Sequence, residues 1–278
     1  MKHKESQFSG CNGNRLYYQY WLPAGQQKAV LIIVHGLAEH SGRYQNIAKY
    51  FVTRDYAVYT FDYRGHGKSA GKKGYVERFS CYLDDLKSFL ELVIRSHSDN
   101  PIFIIGHSIG ATIAATFALD HQDEFDGLLL SGTTIKPGAS LSPLKIVMAN
   151  ILSVLIPRMG IERIDASTIS RDQVVVDSYV SDPLVFRGRI SAHLGAELIR
   201  AMNNLTSHMV KIKVPVLIMH GTEDRLSNPE SSRMLYQRVN SKDKTLKFYK
   251  NFYHEIFNEP EHEKVFKDIE EWLDIRVQ

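Results

Sequence analysis

The 278-residue chain is poor in cysteine and in clustered charge. Its two cysteines, Cys11 and Cys81, lack the spacing of a metal or redox site and are too few for a disulfide framework. We therefore expect free thiols in a reducing compartment. The formal net charge is only +3 and no Lys/Arg block is dense, which argues against nucleic acid as a partner.

Long apolar runs are also missing. Residues 1–10 are polar, so we expect no secretion signal. The longest apolar stretch, residues 146–156, is interrupted by polar residues and is shorter than the ~20 residues that a membrane-spanning helix needs. The sequence therefore predicts a cytoplasmic protein.

Over most of its length the chain alternates between strand-like and helix-like segments. Apolar strand-like runs lie at 29–35, 56–61, 102–105, 127–131, 214–220 and 245–249, after an early antiparallel strand at 16–21. Segments with helical periodicity or composition lie at 44–54, 79–94, 111–119, 229–239 and 260–273. Runs that are apolar throughout are typical of strands buried on both faces. The alternation predicts an α/β fold, with a mostly parallel central sheet and helices on both faces.

The alternation stops between residues 136 and 206, where four prolines occur and no strand-helix rhythm is visible. In open α/β sheets, ligands bind at the carboxyl edge of the strands. We therefore predict a core formed by residues 1–135 and 207–278, with residues 136–206 inserted as a cap over that edge.

A Gly-x-Ser-x-Gly pentapeptide, formed by Gly106, Ser108 and Gly110, follows the predicted strand 102–105 and precedes a predicted helix. A serine on such a sharp strand-to-helix turn has its hydroxyl lifted clear of the sheet, and the flanking glycines avoid steric clashes. The alternative, a plain tight turn, does not require a strand before and a helix after it. Ser108 is therefore the predicted nucleophile.

A serine hydroxyl needs a base and an acid that orients the base, and in this strand order they follow two later strands. Asp224 follows the strand at 214–220, with Glu223 as its rival; either is alternatively an ordinary loop charge. His254 is the only histidine in the loop after the strand at 245–249. Asn258 stands where a zinc protease would carry its second histidine, so no metal is expected.

Backbone N–H groups must stabilise the oxyanion that forms on the carbonyl. The residue after the nucleophile, Ile109, is one predicted donor. Leu37, which lies in the loop after the strand at 29–35, is the other. Gly36 allows the backbone of this loop to approach the substrate.

Several longer blocks carry a resemblance to a known family. They are residues 35–44 (HGLAEHSGRY), 62–69 (DYRGHGKS), 106–110 (GHSIG), 182–184 (DPL) and 254–259 (HEIFNE). With gaps over nearly the whole chain, they resemble the monoacylglycerol lipase and lysophospholipase-like branch of the α/β-hydrolase superfamily. The resemblance implies a triad of Ser108, Asp224 and His254, with Leu37 and Ile109 as the oxyanion hole. It also implies an apolar acyl tunnel in the cap.

We therefore interpret the chain as a cofactor-free serine hydrolase of single-chain lipid esters. The rival enzymes are a short-chain carboxylesterase, a thioesterase and a haloperoxidase-like enzyme on the same fold. A catalytically silent binding module is the non-enzyme alternative, and the complete set of three catalytic side chains argues against it.

Residues 144–156 of the cap carry a wide apolar face. Two interpretations stay open: a cap helix buried against the core, or a face that both lines the acyl tunnel and rests on a lipid surface. Ile151 and Leu155 in this segment are predicted to bind substrate, together with Gly36 and Glu39 beside the oxyanion loop.

Overall fold

The computed structural model describes residues 1–135 and 151–277, with an eight-stranded sheet at its centre. The strands of this sheet are β1 (Lys2–Ser9), β2 (Arg15–Leu22), β3 (Ala29–Val34), β4 (Tyr56–Phe61), β5 (Ile102–His107), β6 (Gly127–Ser131), β9 (Val216–Gly221) and β10 (Lys244–Tyr249). Two short strands, β7 (Gly160–Glu162) and β8 (Ile190–Ser191), pair separately.

The strand order is β1-β2-β4-β3-β5-β6-β9-β10. The pairings of β1 with β2 and of β2 with β4 are antiparallel, and the others are parallel. The chain leaves β3 for β4 on one side and returns to β5 on the other. This reversal places the loops after β3 and β5 next to each other at the carboxyl edge, where such folds bind ligands.

Helices cover both faces of the sheet, which confirms the predicted fold class. They are α1 (Gln45–Val52), α2 (Ser80–Ser96), α3 (Ile109–His121), α4 (Gln173–Ser181), α5 (Ala192–His208), α6 (Glu230–Arg238) and α7 (Glu263–Asp274). Even-numbered residues of β3 belong to the core shared with α2, α3 and α5, and odd-numbered residues to the core shared with α1 and α7. Within the described ranges, no helix is long and apolar enough to cross a membrane.

The predicted strands and helices outside the cap are all present, with ends that differ by up to about three residues. Strand β1 was not predicted. All of its residues except Phe8 are polar and exposed, because it is an edge strand that pairs only with β2. With a single apolar side chain, it shows no apolar alternation in the sequence.

The segment predicted as a cap contains regular structure in its described part: a helical turn at 151–155, the β7/β8 pair, α4 and α5. Helix α5 crosses the predicted boundary at residue 206. Its residues Leu194, Leu198 and Leu205 also belong to the core on the α2/α3 side of the sheet. Residues 136–150 lie outside the described residues, and the domain division at 136–206 stays a prediction.

Candidate active site

Ser108 lies between β5 and α3 with φ 55° and ψ −121°, a conformation that is strained for a residue other than glycine. The tight turn brings the start of α3 against β3. A Cβ at Gly110 would lie 2.1 Å from the carbonyl oxygen of Val34, so this position requires glycine. This turn places the Ser108 hydroxyl outside the sheet, in a cavity at the carboxyl edge of the strands.

Ser108, His254 and Asp224 are brought together from the ends of three parallel strands. The Ser108 hydroxyl donates to His254 Nε2 over 2.8 Å. His254 Nδ1 in turn donates to Asp224 Oδ2 over 2.6 Å. Glu223, the rival acid, is exposed and makes no such contact in the described residues. The arrangement has the hydrogen-bond order that activates a serine nucleophile.

The Asp224 carboxylate is held on both oxygens. Its Oδ1 accepts the backbone N–H groups of Leu226 and Ser227, at 2.8 and 2.9 Å. Its Oδ2 lies 3.0 Å from Nε2 of a second buried histidine, His220. Burial alone would raise the pKa of Asp224, but His254 and His220 hold that pKa well below its usual range. Sequence analysis missed His220, since a strand-end histidine is an ordinary core residue in the sequence.

The imidazole of His254 is buried, which by itself lowers its pKa, yet the charge and hydrogen bond of Asp224 leave that pKa above the ordinary value. The ring of His107 lies 4.8 Å away, centroid to centroid. Burial lowers the pKa of His107 well below its ordinary value, so this ring is neutral at physiological pH. His254 is therefore the ring placed to exchange protons at the site.

The two predicted oxyanion donors, Leu37 and Ile109, both line the cavity beside Ser108. In the described part of the chain, neither backbone N–H donates a hydrogen bond to another group. Ile109 is the first residue of α3, so the positive end of the helix dipole adds to its donor. A Cβ at Gly36 would lie 3.4 Å from the Ser108 Cβ and 2.7 Å from Glu39 Oε1, so glycine allows this close approach.

A buried ion network connects the oxyanion loop to the loop of His254. Glu39 accepts the Gly36 N–H over 2.5 Å and the Tyr44 hydroxyl over 2.7 Å. Arg43 bridges Glu39, at 3.2 Å, and Glu255, at 2.5 Å. Burial and the neighbouring Glu255 raise the pKa of Glu39, and Arg43 opposes the shift. These contacts therefore fix the conformation of residues 35–44, which include Leu37.

Segments of the predicted cap also bind to these loops. His40 Nε2 lies 2.8 Å from Asp182 Oδ2, and the Phe186 N–H donates to the Ala38 carbonyl over 2.8 Å. Ala38 has φ 67°, a left-handed conformation that favours glycine. Because both contacts are made within three residues after Leu37, the region after α4 helps to fix the conformation of the oxyanion loop.

The cavity above Ser108 has a volume of about 600 Å³. The polar residues that line it include Glu39, Glu255 and Arg225. The rest of its lining is largely aliphatic and comes mainly from the region before and within α5: Ile161, Ile164, Ile169, Ile190, Leu198, Ile199 and Met202. These residues were not predicted, although the spacing of 198, 199 and 202 fits one face of a helix.

Of the predicted substrate-binding residues, Gly36 and Glu39 line this cavity, and Ile151 and Leu155 do not. The side chains of Ile151 and Leu155 are 51% and 71% exposed. Their role in substrate binding therefore stays a prediction, since residues 136–150 before them lie outside the described residues. The apolar residues that contact the cavity follow later in the chain.

In the described ranges, no group of three or more His, Cys, Asp or Glu side chains is arranged to hold a metal ion. The groups placed to react are Ser108, His254 and Asp224, with the backbone N–H groups of Leu37 and Ile109 beside them.

Comparison with known proteins agrees with this geometry. The Hydrolase_4 family, described as serine aminopeptidase, S33, matches residues 25–261. The chain is 34% identical to a monoacylglycerol lipase of Mycolicibacterium smegmatis, over 97% of this chain and 96% of the relative. It is 33% identical to the human monoglyceride lipase, over 96% and 89%. The crystal structure of the Paleococcus ferrophilus monoacylglycerol lipase superimposes with a TM-score of 0.82, at 30% identity and 98% coverage of both chains.

Proposed function

The chain belongs to the Hydrolase_4 family and is a serine ester hydrolase with the α/β-hydrolase fold, and from that premise we propose that it hydrolyses monoacylglycerols. The observation that carries the proposal is the hydrogen-bonded series Ser108–His254–Asp224 beside a cavity that is lined by both polar and aliphatic residues. Relatives named for this activity cover nearly the whole chain, which supports the assignment.

In acylation, Ser108 Oγ attacks the ester carbonyl carbon and its proton passes to His254 Nε2. Asp224 stabilises the imidazolium that forms and keeps Nε2 directed at the serine. The negative charge on the carbonyl oxygen is met by the free N–H groups of Leu37 and Ile109. Collapse of the intermediate breaks the ester bond, and the leaving glycerol takes the proton from His254.

In deacylation, a water molecule takes the place of the glycerol. His254 accepts a proton from the water, whose oxygen attacks the acyl carbonyl. The second tetrahedral intermediate uses the same oxyanion donors. Its collapse breaks the bond between the acyl carbon and Ser108 Oγ, His254 returns its proton to that oxygen, and the fatty acid is released. No step needs a cofactor.

The lining of the cavity supports an orientation of the substrate. Its aliphatic residues suit a flexible alkyl chain. The glycerol head then faces Glu39, Glu255 and Arg225, which offer hydrogen-bond partners for hydroxyl groups. Both carboxylates are already held by Arg43, so they are fixed before substrate binds.

We further propose that the enzyme acts in the cytoplasm at a membrane surface, with the cap as its contact. Ile151, Val154, Leu155 and Ile156 are each more than half exposed, and Met159 is more than a third exposed. Exposed large apolar side chains that follow each other in this way mark an interaction surface. A lipid surface supplies both the apolar partner and the substrate.

A substrate panel tests the proposed activity. Initial rates are measured for monoacylglycerols, diacylglycerols, a lysophospholipid, an acyl thioester and short-chain p-nitrophenyl esters. We expect the highest kcat/KM with a monoacylglycerol. A preference for a short-chain ester or the thioester, with monoacylglycerol at background, would contradict the proposal. If the lysophospholipid gave the highest kcat/KM, the proposed acyl site would stand and the head group would be a phosphate ester instead of glycerol alone.

A further inference from the structure

Gly195 lies in the interior of α5 and lines the substrate cavity. Leu198, Ile199 and Met202 of the same helix also line it. Positions i, i+3, i+4 and i+7 form one face of a helix. The helix therefore presents a continuous face to the substrate, and the first position of that face has no side chain.

Neither the backbone nor the packing of the protein explains a glycine at this position. After proline, glycine is the least favourable residue in a helix interior. Among the described residues, and apart from the two chain neighbours and the backbone of α5 itself, the only heavy atom within 4 Å of a Cβ built at Gly195 is Ile161 Cδ1, at 2.9 Å. That atom is the far end of a flexible side chain, so the contact does not by itself require glycine. The space beside Gly195 is therefore cavity rather than protein.

We propose that Gly195 is a specificity-determining residue: the space it leaves open accepts part of a long acyl chain. The inference rests on the proposed function, since it assumes that an acyl chain occupies the aliphatic part of the cavity. A side chain at position 195 would enter the space beside Ile161 and next to Leu198 and Ile199. Each acyl methylene displaced from an apolar site into water weakens binding about fourfold.

The effect of a side chain at 195 should depend on the length of the substrate. The proposal places the space beside Gly195 along the far part of a long acyl chain, so a short acyl group should react at Ser108 as before. A long acyl group loses contacts in the transition state as well as in the ground state. The expected signature is therefore a change in the ratio of kcat/KM values between long and short esters, with the catalytic groups intact.

The experiment compares wild type with Gly195→Ala, Gly195→Leu and the control Asn203→Leu, which adds a leucine on the exposed side of the same helix. Rates are measured with p-nitrophenyl esters from butyrate to palmitate, which need no glycerol head. Fluorophosphonate labelling of Ser108 and the Tm report on integrity. We expect Gly195→Leu to lower kcat/KM for palmitate by about tenfold or more, the loss of two or more methylene contacts. Butyrate should change by less than about twofold, and Gly195→Ala should shift the ratio less, in the same direction.

An unchanged palmitate-to-butyrate ratio in labelled, folded Gly195→Leu would overturn the inference. If Gly195→Leu does not fold, Gly195→Ala decides by the same ratio. An equal shift in Asn203→Leu would also overturn the inference, because it would assign the effect to the helix rather than to the cavity. Failure of the proposed function would give a different result from failure of this inference. The wild type would then cleave p-nitrophenyl esters but no monoacylglycerol, and the palmitate-to-butyrate ratio of Gly195→Leu would still test the role of Gly195.

Discussion

Ser108 combines backbone strain with a complete set of partners. Its φ of 55° is unfavourable and is maintained by the contacts of the surrounding turn. This conformation places its hydroxyl 2.8 Å from His254 Nε2. The position of the Asp224 carboxylate is likewise fixed by several contacts: two backbone N–H groups donate to one oxygen, and two histidines contact the other. At the scale of single residues, the site is held in its reactive geometry before substrate arrives.

The pH dependence of activity should follow His254, which must be neutral to accept the serine proton. Burial lowers its pKa, but Asp224, with Glu255 and Glu39 nearby, raises it above the ordinary value. His107, which also faces this ring, is neutral. We expect kcat/KM to rise with pH through a midpoint above about 6.5. In Asp224→Asn the rate should fall and the midpoint should move down. A wild-type midpoint well below 6 would contradict the assigned charges.

His220 should act through Asp224 as a positioning residue. Its Nε2 lies 3.0 Å from Asp224 Oδ2, and its Nδ1 lies 2.7 Å from Ser232 Oγ. His220→Leu removes a partner that positions the Asp224 carboxylate, so kcat/KM should fall about tenfold. It also leaves more of the carboxylate charge to His254, so the midpoint of the pH profile should move to higher pH. His220→Gln keeps a donor and should lie nearer to wild type.

The control for that experiment is His97→Leu, which removes a buried histidine that bonds to Tyr59 and is not among the described residues that line the cavity. It should lower stability without moving the pH profile. If His220→Leu and His97→Leu both changed only the Tm, His220 would have no role in positioning Asp224.

At the scale of elements, the loop before α1 and the loop before α7 depend on one arginine. Arg43 is the cation between two buried carboxylates, Glu39 and Glu255. Arg43→Met would leave both without their charge partner, and breaking a buried pair in this way costs about 3–5 kcal/mol. We expect denaturant unfolding to show a loss of that size. Arg233→Met, at an exposed pair with Glu230, should lose less than about 1 kcal/mol. Equal losses would show that the Arg43 network is not a stabilising unit.

The sequence predicted elements well where burial on both faces left an uninterrupted apolar run, as in β3, β4 and β5. It missed β1, whose exposed polar residues carry no such pattern. It also missed α5, because part of its apolar face lines a cavity instead of a neighbouring element. The order of strands led to Ser108, Asp224 and His254. His220 and the aliphatic lining of the cavity depend on contacts between distant segments, which one sequence does not reveal.

At the scale of the whole molecule, the cavity beside Ser108 is lined by residues from the sheet edge and by residues between β6 and β9. The exposed apolar side chains of Ile151, Val154, Leu155 and Ile156 belong to the same part of the chain. We propose that a lipid drawn from a surface contacts this part of the chain before it reaches Ser108.

Liposome binding tests this contact. Val154→Ser/Leu155→Ser removes two side chains that are 75% and 71% exposed. Each substitution reduces the apolar surface that enters the lipid interface, so liposome binding should weaken by about tenfold or more. The rate of hydrolysis of a soluble p-nitrophenyl ester should stay near that of wild type. The matched control is Val210→Ser/Ile275→Ser, which alters exposed apolar residues elsewhere. Equal liposome binding by the two double variants would exclude the proposed surface.

The most direct test of the central claim is the hydrolysis of a monoacylglycerol by wild type and by Ser108→Ala, measured as fatty acid released. Ser88→Ala, on the exposed face of α2, serves as the matched serine control. We predict fatty acid and glycerol from wild type and Ser88→Ala, and a rate lower by about three or more orders of magnitude in Ser108→Ala. A folded Ser108→Ala protein with a rate within tenfold of wild type would contradict the account.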